Sequence, residues 1–268
     1  MTVERTINKP MIGVAALVFL LAAAGVYYLR NRSPALPEVA VPTPVPREAA
    51  EPAIEHPLPA GPENAASAAP LPQLADSDAP LRDALGQLSG ADNVKRYLLP
   101  ENIIRHLVVT IDNLPRQKVA VEKRPTAPIS GTFMAQGDEL HATLDPKNFE
   151  RYKPLVAVIS QLDMHQLGAV YVHFYPLFQQ AYQNLGYPTG YFNDRLVHVI
   201  DLLLATPQQT GPIQLVRPNV MYTFADPALE ALPAGQKLLI RMGPENAAAI
   251  EAKLKELREV VAAAPLKH

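Results

Sequence analysis

Residues 162–205 read LDMHQLGAVYVHFYPLFQQAYQNLGYPTGYFNDRLVHVIDLLLA, and this stretch decides the fold of the chain. Its first half places an apolar residue at every third or fourth position, which is the spacing of one face of an α-helix. The members of this stripe are Met164, Leu167, Tyr171, Phe174, Phe178, Ala181 and Leu185. The stripe keeps its phase through Pro176, so it predicts one kinked helix, with two shorter helices as the alternative.

The second half of the stretch predicts another helix, from about Asn193 to Ala205, that is apolar almost all round and therefore mostly buried. The segment 186–190 between the helices contains Gly, Pro and Gly, which favour a turn. Two such helices joined by a short turn predict a central antiparallel αα-hairpin. Asn193 is well placed to cap the second helix. We expect the core to include Phe178, Ile200 and Leu203.

Shorter elements are predicted on both sides of the hairpin. Apolar stripes and Pro or Gly boundaries predict helices near 81–89, 100–114, 145–152, 155–161 and 244–261. Residues 129–144 predict a β-hairpin with its turn at 136–138, and 213–216 and 220–224 are further strand candidates. The fold class predicted for residues 81–268 is therefore mainly α with a minor β component.

Residues 11–29 are nineteen consecutive uncharged and nearly all apolar residues. At about 1.5 Å per residue they extend roughly 28 Å, close to a bilayer core of about 30 Å. The stretch predicts a transmembrane helix that contacts the lipid bilayer and follows a cytoplasmic arm, residues 1–10. The alternative is a cleaved signal peptide, because Ala22, Ala23 and Ala24 resemble a cleavage site. Basic residues on both sides leave the orientation open, and the short arm favours a periplasmic C-terminal domain.

Residues 30–80 predict a disordered linker rich in Pro and Ala. Twelve of the 28 prolines lie between Ser33 and Pro80, and such a segment buries too little apolar surface to fold. Its proline content favours an extended chain that holds the domain away from the membrane. An unselected spacer is the alternative.

Composition removes several classes of function. The chain has no cysteine, so disulfides, thiolate catalysis and cysteine metal sites are excluded. A formal net charge of −2 gives no reason to expect a nucleic-acid partner. The sequence shows no glycine-rich phosphate loop, nucleophile elbow or zinc-protease motif, and we predict no cofactor.

The candidate site lies at the turn of the hairpin. Eight of the 17 aromatic residues lie between Tyr171 and Phe192, and charged residues follow them directly. Buried tyrosines need partners for their hydroxyls, so some are expected at an edge or groove. The candidate ligand-binding or partner-binding residues are Tyr187, Tyr191, Asn193, Asp194, Arg195, His173 and Arg241.

Two interpretations of these residues remain open: a surface for a protein partner, or an aromatic-edged cleft of an enzyme or small-ligand receptor at 186–195. Asp194 and Arg195 either bind that partner or brace the turn. Asp194, His198 and Asp201 share one helical face, where they are able to hold a metal or relay a proton. A solvent-facing strip of a buried helix is the more usual meaning of that pattern.

Four phrases of the sequence are similar to those of a known family: YLLPEN at 97–102, YPLFQQAY at 175–182, LGYPTGYFNDRL at 185–196 and RMGPEN at 241–246. Over about residues 81–261 the chain resembles a mainly proteobacterial family of single-span, membrane-anchored proteins of unknown function. The resemblance implies an inner-membrane protein of the cell envelope and supplies no activity. We therefore expect a non-enzymatic protein that binds or scaffolds an envelope partner, with its oligomeric state open.

Overall fold

The computed structural model describes residues 53–58, 71–138 and 141–262. The arm at 1–10, the predicted span at 11–29 and the linker residues 30–52 and 59–70 lie outside this part of the chain. Within it, no single helix has both the length and the apolar composition to cross a membrane. One helix pair, 153–161 and 164–184, meets both conditions together but bends by 84° between its members.

The described part of the chain is mainly helical and carries two small sheets. The helices are α1 Asp78–Ser89, α2 Ala91–Tyr97, α3 Ile103–Asn113, α4 Lys147–Glu150, α5 Lys153–Gln161, α6 Met164–Asn184, α7 Phe192–Leu204, α8 Pro227–Glu230, α9 Ala234–Met242 and α10 Pro244–Val261. The strands are β1 Ala135–Gln136, β2 Thr143–Leu144, β3 Leu215–Val216 and β4 Thr223–Phe224. Short 3₁₀ turns occupy Leu74–Asp76 and Val121–Lys123. The predicted fold class is confirmed for these residues.

Helix α6 is a single helix that runs through Pro176, as the phase of its stripe predicted. Asp163 is its N-cap, and the Asp163 Oδ1 accepts the main-chain N–H of His165 at 2.8 Å. Pro176 lies on the exposed side of α6, where water can bind the carbonyl that loses its helical donor. The helix ends before Gly186, whose φ of +114° is readily adopted only by glycine.

The core forms where four helices meet. Helices α6 and α7 each pack on both α3 and α10. The fully buried side chains include Phe192, Ile103, Ile104, Val108, Val197, Ile200 and Val261. Of the three core residues expected from the sequence, Phe178 and Ile200 are buried, whereas Leu203 is half-buried.

The two helices predicted for the hairpin are present as α6 and α7, joined by the short segment 185–191. Their ring contacts concentrate at the first turn of α7, where Phe192 packs against Phe178 at 5.8 Å and Tyr182 at 5.5 Å between centroids. Further along α7, Val197 and Ile200 pack with Val261 of α10. The apolar faces of both helices are completed by α3 and α10, so the core extends beyond the pair.

The folded region also begins earlier than residue 81. Leu74 is 7% exposed in its 3₁₀ turn, and α1 starts at Asp78. The Asp78 carboxylate accepts the main-chain N–H groups of Asn102 and Ile103 at 2.7 and 2.8 Å, which caps α3. The prediction of a disordered linker is therefore wrong for residues 71–80, whose buried leucine and capping carboxylate tie them to the domain.

The predicted β-hairpin is present, and the two further strand candidates pair as a second one, but all four strands are only two residues long. In the first, Ala135 pairs with Leu144 and Gln136 with Thr143. The predicted turn at 136–138 was placed too narrowly: Gln136 belongs to a strand, and Asp138 Oδ1 accepts the main-chain N–H of His141 at 2.8 Å across the loop. In the second, β3 pairs antiparallel with β4.

Phe178 tests the position of the core. Replacing Phe178 by Ala should lower the free energy of unfolding by about 3–5 kcal/mol, because its ring is 6% exposed and packs on Tyr171 and Phe192. Phe133 is a matched control, since it is 36% exposed and contacts only one ring, that of Tyr222, among the described residues. Phe133→Ala should lose about 0.5–1.5 kcal/mol. Equal losses in urea unfolding followed by circular dichroism would contradict the assignment.

Candidate functional site

The start of α7 is capped from α6 rather than by Asn193. The Gln179 side chain accepts the main-chain N–H of Phe192 through Oε1 at 2.8 Å and donates through Nε2 to the carbonyl of Gly190 at 2.6 Å. Asn193 lies inside the first turn of α7 and is fully buried. The predicted capping role of Asn193 is therefore wrong, because the side chain of Gln179 already satisfies the first free amide of the helix.

The Asn193 side chain instead joins three other parts of the chain. Its Nδ2 donates to the carbonyl of Val261 at the end of α10 at 2.9 Å and to the carbonyl of His56 at 2.8 Å. Its Oδ1 accepts the Tyr171 hydroxyl of α6 at 3.1 Å. Because a buried amide without partners is destabilising, these bonds make Asn193 a fixed junction between α6, α7, α10 and residues 53–58.

Residues 53–58, which we call the docked segment, continue across the first turn of α7. Asp194 accepts the main-chain N–H of His56 through Oδ1 at 2.6 Å and that of Glu55 through Oδ2 at 3.2 Å. The Tyr191 hydroxyl accepts the N–H of Leu58 at 3.3 Å. We call Tyr191, Asn193 and Asp194 the clamp. These contacts correct the predicted linker a second time, because residues 53–58 are bound to the domain.

The tyrosines around the clamp act as neutral hydrogen-bonding groups. Burial raises the pKa of Tyr171 well above its ordinary value. Burial also raises the pKa of Tyr175, and the neighbouring Tyr191 raises it further. Both hydroxyls therefore stay protonated at physiological pH, and the Tyr175 hydroxyl donates to Gln179 Oε1 at 2.9 Å. This state suits an architectural role rather than a catalytic base.

Arg195 and Tyr187 belong to a separate cluster centred on the buried Asp112 of α3. Arg195 donates through Nε to Asp112 Oδ1 at 3.0 Å and through Nη2 to the Asp112 carbonyl at 2.7 Å. Arg116 Nη2 donates to Asp112 Oδ2 at 2.7 Å, and the Tyr187 hydroxyl donates to the same oxygen at 3.3 Å. Asp112 is 1% exposed, so these bonds compensate a buried charge. This geometry favours the alternative in which Arg195 braces the turn.

The remaining two candidates lie away from the clamp. His173 is exposed on α6, and its ring meets that of Phe174 edge-on at 4.9 Å. Arg241 of α9 donates to the carbonyl of Tyr222 at 3.2 Å, and its guanidinium carbon lies 4.8 Å from the centroid of Phe224. The structure therefore separates the seven candidates into the clamp, the Asp112 cluster and these two isolated residues.

A cavity of about 400 Å³ lies between the first β-hairpin, the loop after α7 and helices α9 and α10. Phe149, Pro207, Leu239 and Ile240 form apolar walls, and Glu251 is the one formally charged residue that lines it. None of its lining residues belongs to the segment 186–195. The cavity therefore does not correspond to the aromatic-edged cleft that we considered at the turn.

The row of Asp194, His198 and Asp201 does not converge on one point. Asp194 binds main-chain amides, and Asp201 pairs with Arg258, whose Nη2 lies 3.0 Å from Asp201 Oδ2. The hydrogen bond from Arg258 lowers the pKa of Asp201 and outweighs the opposing effect of burial, and the charge of Arg258 lowers it further. Among residues 53–58, 71–138 and 141–262, no group of three His, Asp or Glu side chains could hold a metal ion.

Neither the role of Asp112 nor the docked segment was predicted from the sequence. Asp112 sits among the apolar residues of α3, and an acid at such a position is itself a signal of a buried ion pair. Arg116 follows it at the i+4 spacing that allows the pair to form. The docked segment carried no such signal, because it lies within a Pro-rich stretch whose average composition is typical of disorder.

A family model described as "Protein of unknown function (DUF3014)" matches residues 103–258. The match confirms the part of the resemblance that concerns a domain of unknown function, and it starts later than the predicted residue 81. No curated protein matches the chain, and no solved structure does either. The bacterial group and the single membrane span implied by the resemblance stay predictions.

Arg195 tests the bracing role. Replacing Arg195 by Ala should lower the free energy of unfolding by about 3 kcal/mol, because it removes one of the two cations that hold the buried Asp112. Arg105 is the matched control, since it is exposed on α3 and bonds only to Asn102 among the described residues. Arg105→Ala should change stability by less than about 0.5 kcal/mol.

A thermal or urea melt of both variants makes this comparison. Combining Arg195→Ala with Asp112→Asn should destabilise less than the sum of the two single changes, since the two groups contact each other. An Arg195→Ala protein as stable as the Arg105→Ala control would contradict the bracing role and return Arg195 to the candidate binding residues.

Proposed function

This chain belongs to the DUF3014 family of proteins of unknown function, and we propose that its helical domain is a binding or scaffolding module of the cell envelope. In this proposal residues 11–29 anchor the chain in the bacterial inner membrane, and residues 30–52 connect that anchor to the domain. The domain faces the periplasm and binds a protein partner at the clamp. It catalyses no reaction there.

One observation supports the binding role above all others: the clamp holds a segment that is 133 to 139 residues away in sequence. Tyr191, Asn193 and Asp194 are candidate binding residues in the sequence, and here they hydrogen-bond to residues 55–58 of the same chain, which supports the proposal. Their hydrogen bonds to residues 55–58 all go to main-chain groups, which every polypeptide partner possesses. The surface is therefore built to hold chain segments.

The chemistry of the clamp favours binding over catalysis. The Asp194 carboxylate accepts two amides, and the Tyr171 and Tyr175 hydroxyls are neutral donors. A general base needs an ionisable group that reaches a substrate proton and is free to accept it. The Tyr191 hydroxyl and the Asp194 carboxylate accept main-chain amides in the structure, a use that suits binding of a polypeptide.

The topology of the proposal can be tested with reporter fusions. Alkaline phosphatase fused after residue 268 should be active, because residues 11–29 would carry the C-terminal domain across the membrane with the short arm left inside. A green fluorescent protein that folds only in the cytoplasm, fused at the same place, should stay dark. The opposite pair of results would reject the periplasmic location.

Partner binding can be tested by photocrosslinking in living cells. A benzoylphenylalanine in place of His198, which is exposed one turn after Asp194, should form a discrete adduct with a partner. Asp194→Ala should abolish this adduct, since it removes the acceptor of two amides. The same crosslinker in place of the exposed His173 is the matched control and should give no Asp194-dependent adduct. A His198 adduct unaffected by Asp194→Ala would contradict partner binding at the clamp.

A further inference from the structure

We propose that the partner presents to the clamp a peptide that bends as residues 55 and 56 do, with a proline followed by an apolar residue, and that the docked segment occupies the same groove as a built-in competitor. This inference rests on the proposed binding function and names the partner and the regulation of that site. The clamp, the groove and the competitor are all formed by described residues of this chain.

The first step is recognition of the main chain. The clamp accepts hydrogen bonds from the N–H groups of Glu55, His56 and Leu58, and it donates one to the carbonyl of His56. Consecutive main-chain contacts of this kind hold a peptide in one direction and register, while leaving most side chains free to vary. Ala53, Ile54 and Glu55 are exposed, which agrees with weak side-chain selection in the first half of the segment.

The second step is the proline. The clamp binds the amides at positions 55, 56 and 58, and the position between them, 57, is a proline that has no amide to donate. Pro57 therefore fits the groove without leaving a donor unpaired, and it lowers the entropy lost when a peptide docks.

The third step concerns the side chains that the groove selects. Leu58 is half-buried and packs against the main apolar cluster of the domain, so an apolar residue is favoured at that position. His56 is half-buried as well. The groove therefore favours a proline at position 57 and an apolar residue at 58.

The fourth step is competition. The docked segment belongs to the same chain, so its effective concentration at the clamp is on the order of millimolar. To displace the docked segment, a partner peptide must bind the clamp more tightly than that segment does, or gain affinity from a second contact with the domain. Partner binding is thereby linked to release of residues 53–58, which lengthens the free chain between the predicted anchor and the domain.

The test uses a fluorescein-labelled peptide of residues 51–60, EPAIEHPLPA, and the purified full-length protein. Fluorescence anisotropy should show binding at least about tenfold tighter to Leu58→Asp protein than to the unchanged protein, because the charge expels the docked segment. A protein that lacks residues 53–58 is a second open form and should bind equally well. Asp194→Ala in either open form should abolish binding.

Two methylated peptides separate main-chain recognition from general adhesion. N-methylation of the His56 amide removes one donor to Asp194 and leaves every side chain intact, so it should abolish binding. N-methylation of the Ile54 amide, which donates to none of the clamp residues, should leave affinity within about twofold. Equal binding of both peptides would overturn recognition through the main chain.

The remaining outcomes distinguish this inference from the proposed function. If neither open form binds the peptide while the Asp194-dependent His198 adduct still forms in cells, the peptide groove is overturned. Partner binding at the clamp would then still stand. Loss of the adduct's Asp194 dependence overturns the proposed function itself. Equal affinity of the open and unchanged proteins overturns the competitor role of the docked segment.

Discussion

The fold and the candidate site both depend on the buried amide of Asn193. This side chain is fully buried at the start of α7 and bonds to Val261 of α10, to Tyr171 of α6 and to His56 of the docked segment. A buried amide is tolerated only when its donors and acceptor are paired, and here the partners come from three separate parts of the chain. The position of the docked segment is thus fixed by the same side chain that joins two core helices.

A second buried polar group fixes the other side of the turn. The Asp112 carboxylate accepts hydrogen bonds from Arg195 of α7, from Arg116 just after its own helix and from Tyr187 of the turn. Stacked rings of Tyr182 and Tyr187, 4.5 Å apart between centroids, fill the space beside it. An ion pair therefore holds the turn on this side and Asn193 holds it on the other, so the clamp is supported from both sides. Preorganisation of that kind reduces the ordering cost of binding.

Local sequence signals predicted the helices well and their partners poorly. The unbroken α6 and the Pro244 start of α10 follow from a 3.6-residue period and from proline placement, which act within one segment. Asn193 was assigned as a cap because the residue type suits that role, yet Gln179, fourteen residues earlier, performs it. Burial of Asp112 depends on Arg195, and docking of residues 53–58 depends on α7. Pairings between residues so far apart in the chain leave no periodicity or local composition in the sequence from which they could be predicted.

Amide hydrogen exchange of the docked segment in the full-length protein tests the central claim most directly. After correction for intrinsic rates, the His56 amide should exchange more slowly than that of Ile54, because only the former is bound to Asp194. Asp194→Ala should remove that difference while the amides of α6 stay protected. Exchange of the His56 amide at the rate of an unfolded chain in the unchanged protein would show that residues 53–58 do not dock, and would contradict the account.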